Sequence, residues 1–223
     1  MLEFVDVRFC SNLTSFEALA GIPGIEKAFV YGRGITKIGF FIPSQAPERL
    51  HVTQCRGLMS VGGVLRLEHL REVDISFTAI TSVGILQLSH LLESVNVSWC
   101  RGLVSLDGLF GLPNLKEVNA AGTGITTLDP FGSCPMLESL YVSFCENLTS
   151  INGLSGRLTL KSLNASCSNI TNIDVLQSFH SLEMLDISNC SRLLSFEILS
   201  GLPNLKIIQA YNGVAADIDP NAT

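Results

Sequence analysis

Five cysteines, Cys10, Cys55, Cys100, Cys145 and Cys190, stand 45 residues apart. A spacing held over most of a 223-residue chain points to a stack of near-identical units. Aligned on these cysteines, the sequence divides into units that begin at Leu2, Ile25, Pro47, Leu70, Leu92, Leu115, Leu137, Leu160, Leu182 and Leu205, with lengths alternating between 23 and 22 residues. Cysteine occupies one position in each longer unit, and the shorter units carry Arg33, Thr78, Thr123, Ser168 and Gly213 there. The physical repeat is therefore a pair of units, and residues 1–223 read as one domain of about ten repeats.

The unit that starts at Leu92, LESVNVSWCRGLVSLDGLFGLPN, shows how each one should fold. Val95 and Val97 alternate with Ser94, Asn96 and Ser98, the period of a strand with one buried face. Leu103, Leu106, Leu109 and Leu112 then recur every three residues, a spacing that suits 3₁₀ turns better than a long helix. Pro113 and Asn114 end the unit and redirect the chain. The same inward column is filled by Val5 and Val7, Val73 and Ile75, Leu140 and Val142, and Leu185 and Ile187. Each such side chain stabilises by roughly 1.5–3 kcal/mol once buried, yet a lone unit has nothing to bury it against. Stacking is obligatory, and it makes a parallel sheet at about 4.8 Å per strand. The L-x-x-L-x-L opening at this period is the leucine-rich repeat pattern. The expected fold is a leucine-rich repeat solenoid, a right-handed horseshoe with a parallel β-sheet on its concave face, short 3₁₀ or irregular turns on its convex face and little α-helix.

Two steps of such a stack span about 10 Å, beyond the ~7 Å between Cα atoms that a disulfide tolerates. The cysteines therefore read as free thiols forming a structural ladder, small buried groups that turn the chain out of each strand and satisfy nearby backbone. A metal would need converging ligands, and a nucleophilic thiol would need a neighbouring histidine. His51 falls on a strand and His69, His90 and His180 fall near unit ends, away from the ladder position, so neither a metal site nor a cofactor is expected. Phosphate loops, H-E-x-x-H and nucleophile elbows are missing, and Asp129 and Asp174 fall where turns use an Asp to accept local backbone bonds. The chain does not read as an enzyme.

With 47% hydrophobic and 15% charged residues the chain can bury a core, while its apolar runs stay far short of the ~18–20 residues of a membrane-spanning helix. A net charge of −6 without basic blocks gives nucleic acid no footprint. The start, MLEFVDVRFC, lacks the pattern of a signal peptide, and free thiols suit a reducing compartment, so an intracellular, cytoplasmic setting is expected. N-x-S/T triplets at Asn12, Asn96, Asn147, Asn164, Asn169, Asn189 and Asn221 read as by-products of repeats rich in Asn, Ser and Thr, since several fall where the sheet packs. The first unit starts in register without the polar cap that terminal repeats need, which leaves self-association through that end open.

Family resemblance adds a second line. The shorter units, such as LKSLNASCSNITNIDVLQSFHS from Leu160, resemble the repeats of protein phosphatase regulators, and the longer ones, such as LEMLDISNCSRLLSFEILSGLPN from Leu182, resemble the cysteine-containing repeats of F-box ubiquitin-ligase subunits. Their alternation is most similar to the leucine-rich repeat proteins of trypanosomatids. The resemblance implies a protein–protein interaction scaffold, or an adaptor or targeting module, that binds a protein partner on its concave face. A cell-surface antigen or ligand-binding receptor ectodomain is the alternative, followed by a substrate-recognition subunit of a ubiquitin ligase. The chain carries no F-box, no RING-type spacing and no cysteine-rich cap.

Two columns are the candidates for partner contact. One reads Phe9, Gly32, Gln54, Phe77, Trp99, Gly122, Phe144, Cys167, Asn189 and Asn212, and is expected to alternate with the buried strand positions. The other reads Asp6, Phe29, His51, Asp74, Asn96, Asn119, Tyr141, Asn164, Asp186 and Gln209. Rigidly held aromatic rings make good anchors, so Phe77, Trp99, Tyr141 and Phe144, with the polar Asp74 and Asn96, form the candidate patch. For Phe77 and Phe144 a core role over the strand ends is an equal reading. Trp99 and Tyr141 have polar handles suited to a partly wet surface. Arg56 and Arg101 follow ladder cysteines and should project on one side, either as solvated charge or to receive an acidic partner. Arg33 and the segment FFIPSQAPERL make the unit from Ile25 the least regular.

Overall fold

The computed structural model describes residues 3–8, 12–15, 24–38, 47–61, 68–156 and 159–211. Phe9, Cys10, Phe40, Phe41, Asn212, Gly213 and Asn221 lie outside them. The described chain forms ten strands: β1 Phe4–Arg8, β2 Lys27–Tyr31, β3 Arg49–Thr53, β4 Glu72–Asp74, β5 Ser94–Asn96, β6 Glu117–Asn119, β7 Ser139–Tyr141, β8 Ser162–Asn164, β9 Met184–Asp186 and β10 Ile207–Gln209. They make one parallel sheet in chain order. Paired positions are alternately 23 and 22 residues apart, as where Phe4 pairs with Lys27 and Lys27 with Arg49. From β4 to β9 each strand is followed by a short 3₁₀ turn such as Gly84–Leu88, Asp107–Leu109 or Asp129–Ser133. No α-helix occurs among the described residues. The fold is a leucine-rich repeat solenoid.

Local side-chain bonds accompany the end of most of the short strands. Asp74, Asn96, Asn119, Asn164 and Asp186 each accept, through Oδ1, the backbone N–H two residues on, at 2.9–3.1 Å. This turn withdraws that N–H from the sheet and ends the strand. Where the column holds Phe29 or His51 instead, β2 and β3 run on to five residues, but the turn is not the whole cause: β1 is as long although Asp6 accepts the Arg8 N–H, and β7 is short with Tyr141 in the column. A hydroxyl or amide oxygen does similar work before the 3₁₀ turns. Ser82, Ser105, Thr127, Ser150 and Asn172 accept the N–H of Gly84, Asp107, Asp129, Asn152 and Asp174.

Ending the strand frees a buried carbonyl, and the alternation of units satisfies it. Across the sheet, Ile75 would accept from the N–H of Ser98, but Asn96 has taken that donor. The Ile75 carbonyl accepts instead from Thr78 Oγ1 in its own unit at 2.7 Å and from Cys100 Sγ in the next unit at 3.2 Å. Thr123 and Cys145 meet in the same way on Ala120, and Ser168 and Cys190 on Ala165. In each case a short unit supplies the hydroxyl and the following long unit the thiol. Cys55 has no such partner, because Arg33 stands at the preceding hydroxyl position and is exposed; the Cys55 thiol donates to Thr53 O.

A second alternation lies just before the strands. Arg71, Glu93, Lys116, Glu138, Lys161, Glu183 and Lys206 occupy successive units and form ion pairs between neighbours: Glu93 with both Arg71 and Lys116, Glu138 with Lys161, and Glu183 with Lys206. The hydrogen bonds from Lys116 and Arg71 hold the Glu93 carboxyl below its ordinary range, as Lys206 does for Glu183. From Arg71 onwards short units carry the positive charge and long units the negative one, whereas the short unit from Ile25 carries Glu26 there. Inside, the stacked leucine, isoleucine and valine columns form one continuous core, with Phe131 and Phe179 its largest fully buried side chains.

Candidate partner-binding site

The ring column does not alternate with the buried strand positions. Phe77, Trp99 and Phe144 stand beyond the ends of β4, β5 and β7, in left-handed backbone conformations with φ of 56°, 61° and 58°. Gln54, Gly122, Cys167 and Asn189 take the same conformation in their own units. By strict alternation Phe77 would follow Val73 and Ile75 inward; the left-handed residue turns it outward instead. The rings therefore line the rim where the sheet ends. Phe77 is 40% and Phe144 50% exposed, so neither fills the core.

The column brings three of the four expected aromatic residues together. Phe77 stacks on Trp99 with ring centres 6.1 Å apart and planes 18° apart, and Trp99 leans towards Phe144 at 5.7 Å. Gly122 makes this reach possible. Its φ is +68°, and a Cβ there would sit 2.6 Å from Trp99 Cε3, so the indole lies across the unit in which no side chain intervenes. Arg101 places its guanidinium 5.8 Å from the Trp99 ring centre, within reach of a cation–π attraction. Arg56, Phe77, Thr78, Ala79, Trp99, Arg101 and Gly102 line one open groove of about 540 Å³. Neither Arg56 nor Arg101 forms an ion pair among the described residues.

Tyr141 is separate from this stack. It lies on β7 in the strand column between Asn119 and Asn164 and makes no ring contact among the described residues. Asp74 and Asn96 are half-buried and engaged: besides ending their strands, Asn96 Nδ2 donates to Asp74 Oδ2 at 3.0 Å. Their spacing, Asp or Asn two residues before Ser, is the sequence signal of that turn. A further aromatic group joins Phe29 and His51 of the strand column to Phe4, two residues before Asp6 on β1, with ring centres 5.4 and 4.6 Å apart. His51 Nε2 lies 2.8 Å from Glu72 Oε1, and Arg8 lies over Phe29.

The described ladder cysteines, Cys55, Cys100, Cys145 and Cys190, are buried and unpaired with one another. Burial pushes all four thiols above their ordinary value, with hydrogen bonds offsetting part of the effect. They are protonated donors to carbonyls rather than nucleophiles. Among the described residues no three His, Cys, Asp or Glu side chains converge as metal ligands, and no helix is long and apolar enough to cross a membrane.

No protein-family profile matches the sequence, and no curated protein matches it. Among solved structures, an internalin C2 of Listeria monocytogenes superposes with a TM-score of 0.67 at 15% identity, over 93% of this chain and 80% of that one. An internalin F of the same bacterium gives a TM-score of 0.50, also at 15% identity, over 99% of this chain and 84% of that one. At that identity the likeness is one of architecture, and it agrees with the strand order and 3₁₀ turns in making this chain a leucine-rich repeat solenoid.

Proposed function

We propose that the chain is a protein-binding scaffold whose contact surface runs from the concave sheet onto the rim at the strand ends. The observation that carries this reading is the exposed ring stack at left-handed positions. Bulky side chains there cost on the order of 1–3 kcal/mol of backbone strain, whereas Gly or Asn would relieve it, as Gly122 and Asn189 do in the same column. A ring retained at such a cost, 40–50% exposed in the case of Phe77 and Phe144, gives the fold little and gives a partner a rigid anchor. The likeness to internalins supports an interaction module, and the chemistry of the buried thiols offers no competing activity.

Photo-crosslinking in the native cell tests the proposal. A benzophenone residue at Tyr141 on the sheet or at Phe144 on the rim should capture a discrete partner, and one at Phe110 beyond the convex 3₁₀ turn should not. Combining Trp99→Ser with Phe144→Ser should abolish the Tyr141 crosslink without unfolding the chain. Crosslinks confined to Phe110 would sink the proposal.

A further inference from the structure

We propose that the groove between Arg56 and Arg101 takes an acidic peptide segment in the polyproline II conformation, with carboxylates three residues apart. This rests on the scaffold reading and names the chemistry of the partner. Arg56 and Arg101 hold the same place in alternate units, so their backbone positions stand about 10 Å apart along the stack. A polyproline II helix rises about 9.3 Å in three residues and returns its side chains to one face after three. An extended strand does not match: its same-face positions recur at about 6.7 and 13 Å.

Charge and shape favour the same occupant. The chain carries 20 acidic and 14 basic residues, and the basic residues before the strands are already paired. Two guanidinium groups flank this groove with no carboxylate on either among the described residues. Phe77 and Trp99 give the lining its aromatic surface, and Thr78, Ala79 and Gly102 are its small residues. Proline rings pack on such aromatic surfaces at small entropic cost, because the ligand is already ordered. The Trp99 indole N–H has no hydrogen-bond acceptor among the described residues. A polyproline II segment leaves its carbonyls free to accept from it, whereas an α-helix has used its own.

Trp99 is the only tryptophan, so its fluorescence reports on the groove directly. The probes are an eight-residue proline peptide with glutamate at its third and sixth positions, the same peptide with glutamine there, one with the two glutamates adjacent, an alanine-rich helical peptide with glutamates seven apart, and oligothymidylate. The first should bind saturably and weaken with salt. Affinity should fall about tenfold with glutamine in the peptide, with Arg56→Gln or with Arg101→Gln, the size of one charge-assisted hydrogen bond. Circular dichroism should show both variants folded as the parent. The proposal is overturned if glutamine and glutamate peptides bind alike, if the helical peptide or oligothymidylate binds more tightly, or if no peptide perturbs Trp99 up to about 1 mM. A silent groove with persisting Tyr141 crosslinks would overturn the peptide chemistry and leave the scaffold standing. Loss of both would overturn the two together.

Discussion

A single backbone angle decides the fate of the ring column. In the left-handed region Asn is several-fold enriched and a bulky residue is an outlier, so Phe144→Asn should relieve strain while removing a half-exposed ring. Its urea midpoint should stay level or rise; a loss above about 1 kcal/mol would show that the ring holds the fold together. Gly122→Ala should do the opposite. It forces a side chain into φ +68° and against Trp99 Cε3, and should cost about 1–3 kcal/mol with a shift in Trp99 emission. Ser89 gives a third residue-scale test. Its hydroxyl is fully buried without a partner among the described residues, while Cys134, 45 residues on, donates to Leu109 O. Ser89→Ala should therefore stabilise by about 1 kcal/mol in the same urea assay; a destabilised variant would mean that the hydroxyl has a partner. The ring column's place was only half legible in the sequence. Period-two counting carries Phe77 to the buried parity, and only the Gly122 and Asn189 in its column hint that the backbone turns left-handed there. Asp74 and Asn96 read as polar members of the partner patch, and the Ser that follows each by two also places them in turns at the strand ends.

At the scale of elements, strand ends and their side-chain donors act as one device. Thr78 and Cys100 share the Ile75 carbonyl, so either donor alone can keep it satisfied. Thr78→Val and Cys100→Ala should each be mild, and the double variant should lose about 1–2 kcal/mol more than their sum, because only then is a buried carbonyl orphaned. Simple additivity in a double-mutant cycle would refute the sharing. The same thiols set a pH dependence. Burial raises the folded pKa of Cys55, Cys100, Cys145 and Cys190, so the folded chain keeps protons that the unfolded chain gives up above about pH 8.5. Their contribution is complete below that pH and is lost as pH rises through the folded values. Unfolding free energy should decline on the alkaline side, and replacing all four by Ser should flatten the slope. If the slope is unchanged by that replacement, other groups set it. These elements were legible because leucine spacing and strand alternation are local signals. The sharing of one carbonyl between units is a contact across 25 residues, and alternation of Thr and Cys was its only trace.

For the whole molecule, nearest-neighbour stacking makes the pair of units the indivisible module. Repeat proteins are stabilised by intrinsic terms and by interfaces between neighbours, and here both the charge column and the hydroxyl–thiol pairs alternate in step. Deleting residues 115–159 removes one whole pair. It brings Glu93 beside Lys161 in the charge column and keeps Thr78 with Cys100 and Ser168 with Cys190. Deleting residues 115–136 removes a short unit alone. It sets Glu93 beside Glu138, breaks the Glu93 pair with Lys116, and leaves Cys145 without the Thr123 hydroxyl. The larger deletion should therefore be the better tolerated. Urea unfolding of the 115–159 deletion should remain one cooperative transition with its m-value lower by about a fifth, in proportion to the surface removed. The 115–136 deletion should unfold at lower urea than the larger one and recover partly in high salt, where the opposed glutamates are screened. Equal midpoints for the two deletions would show that single units, and not pairs, carry the stability of the solenoid.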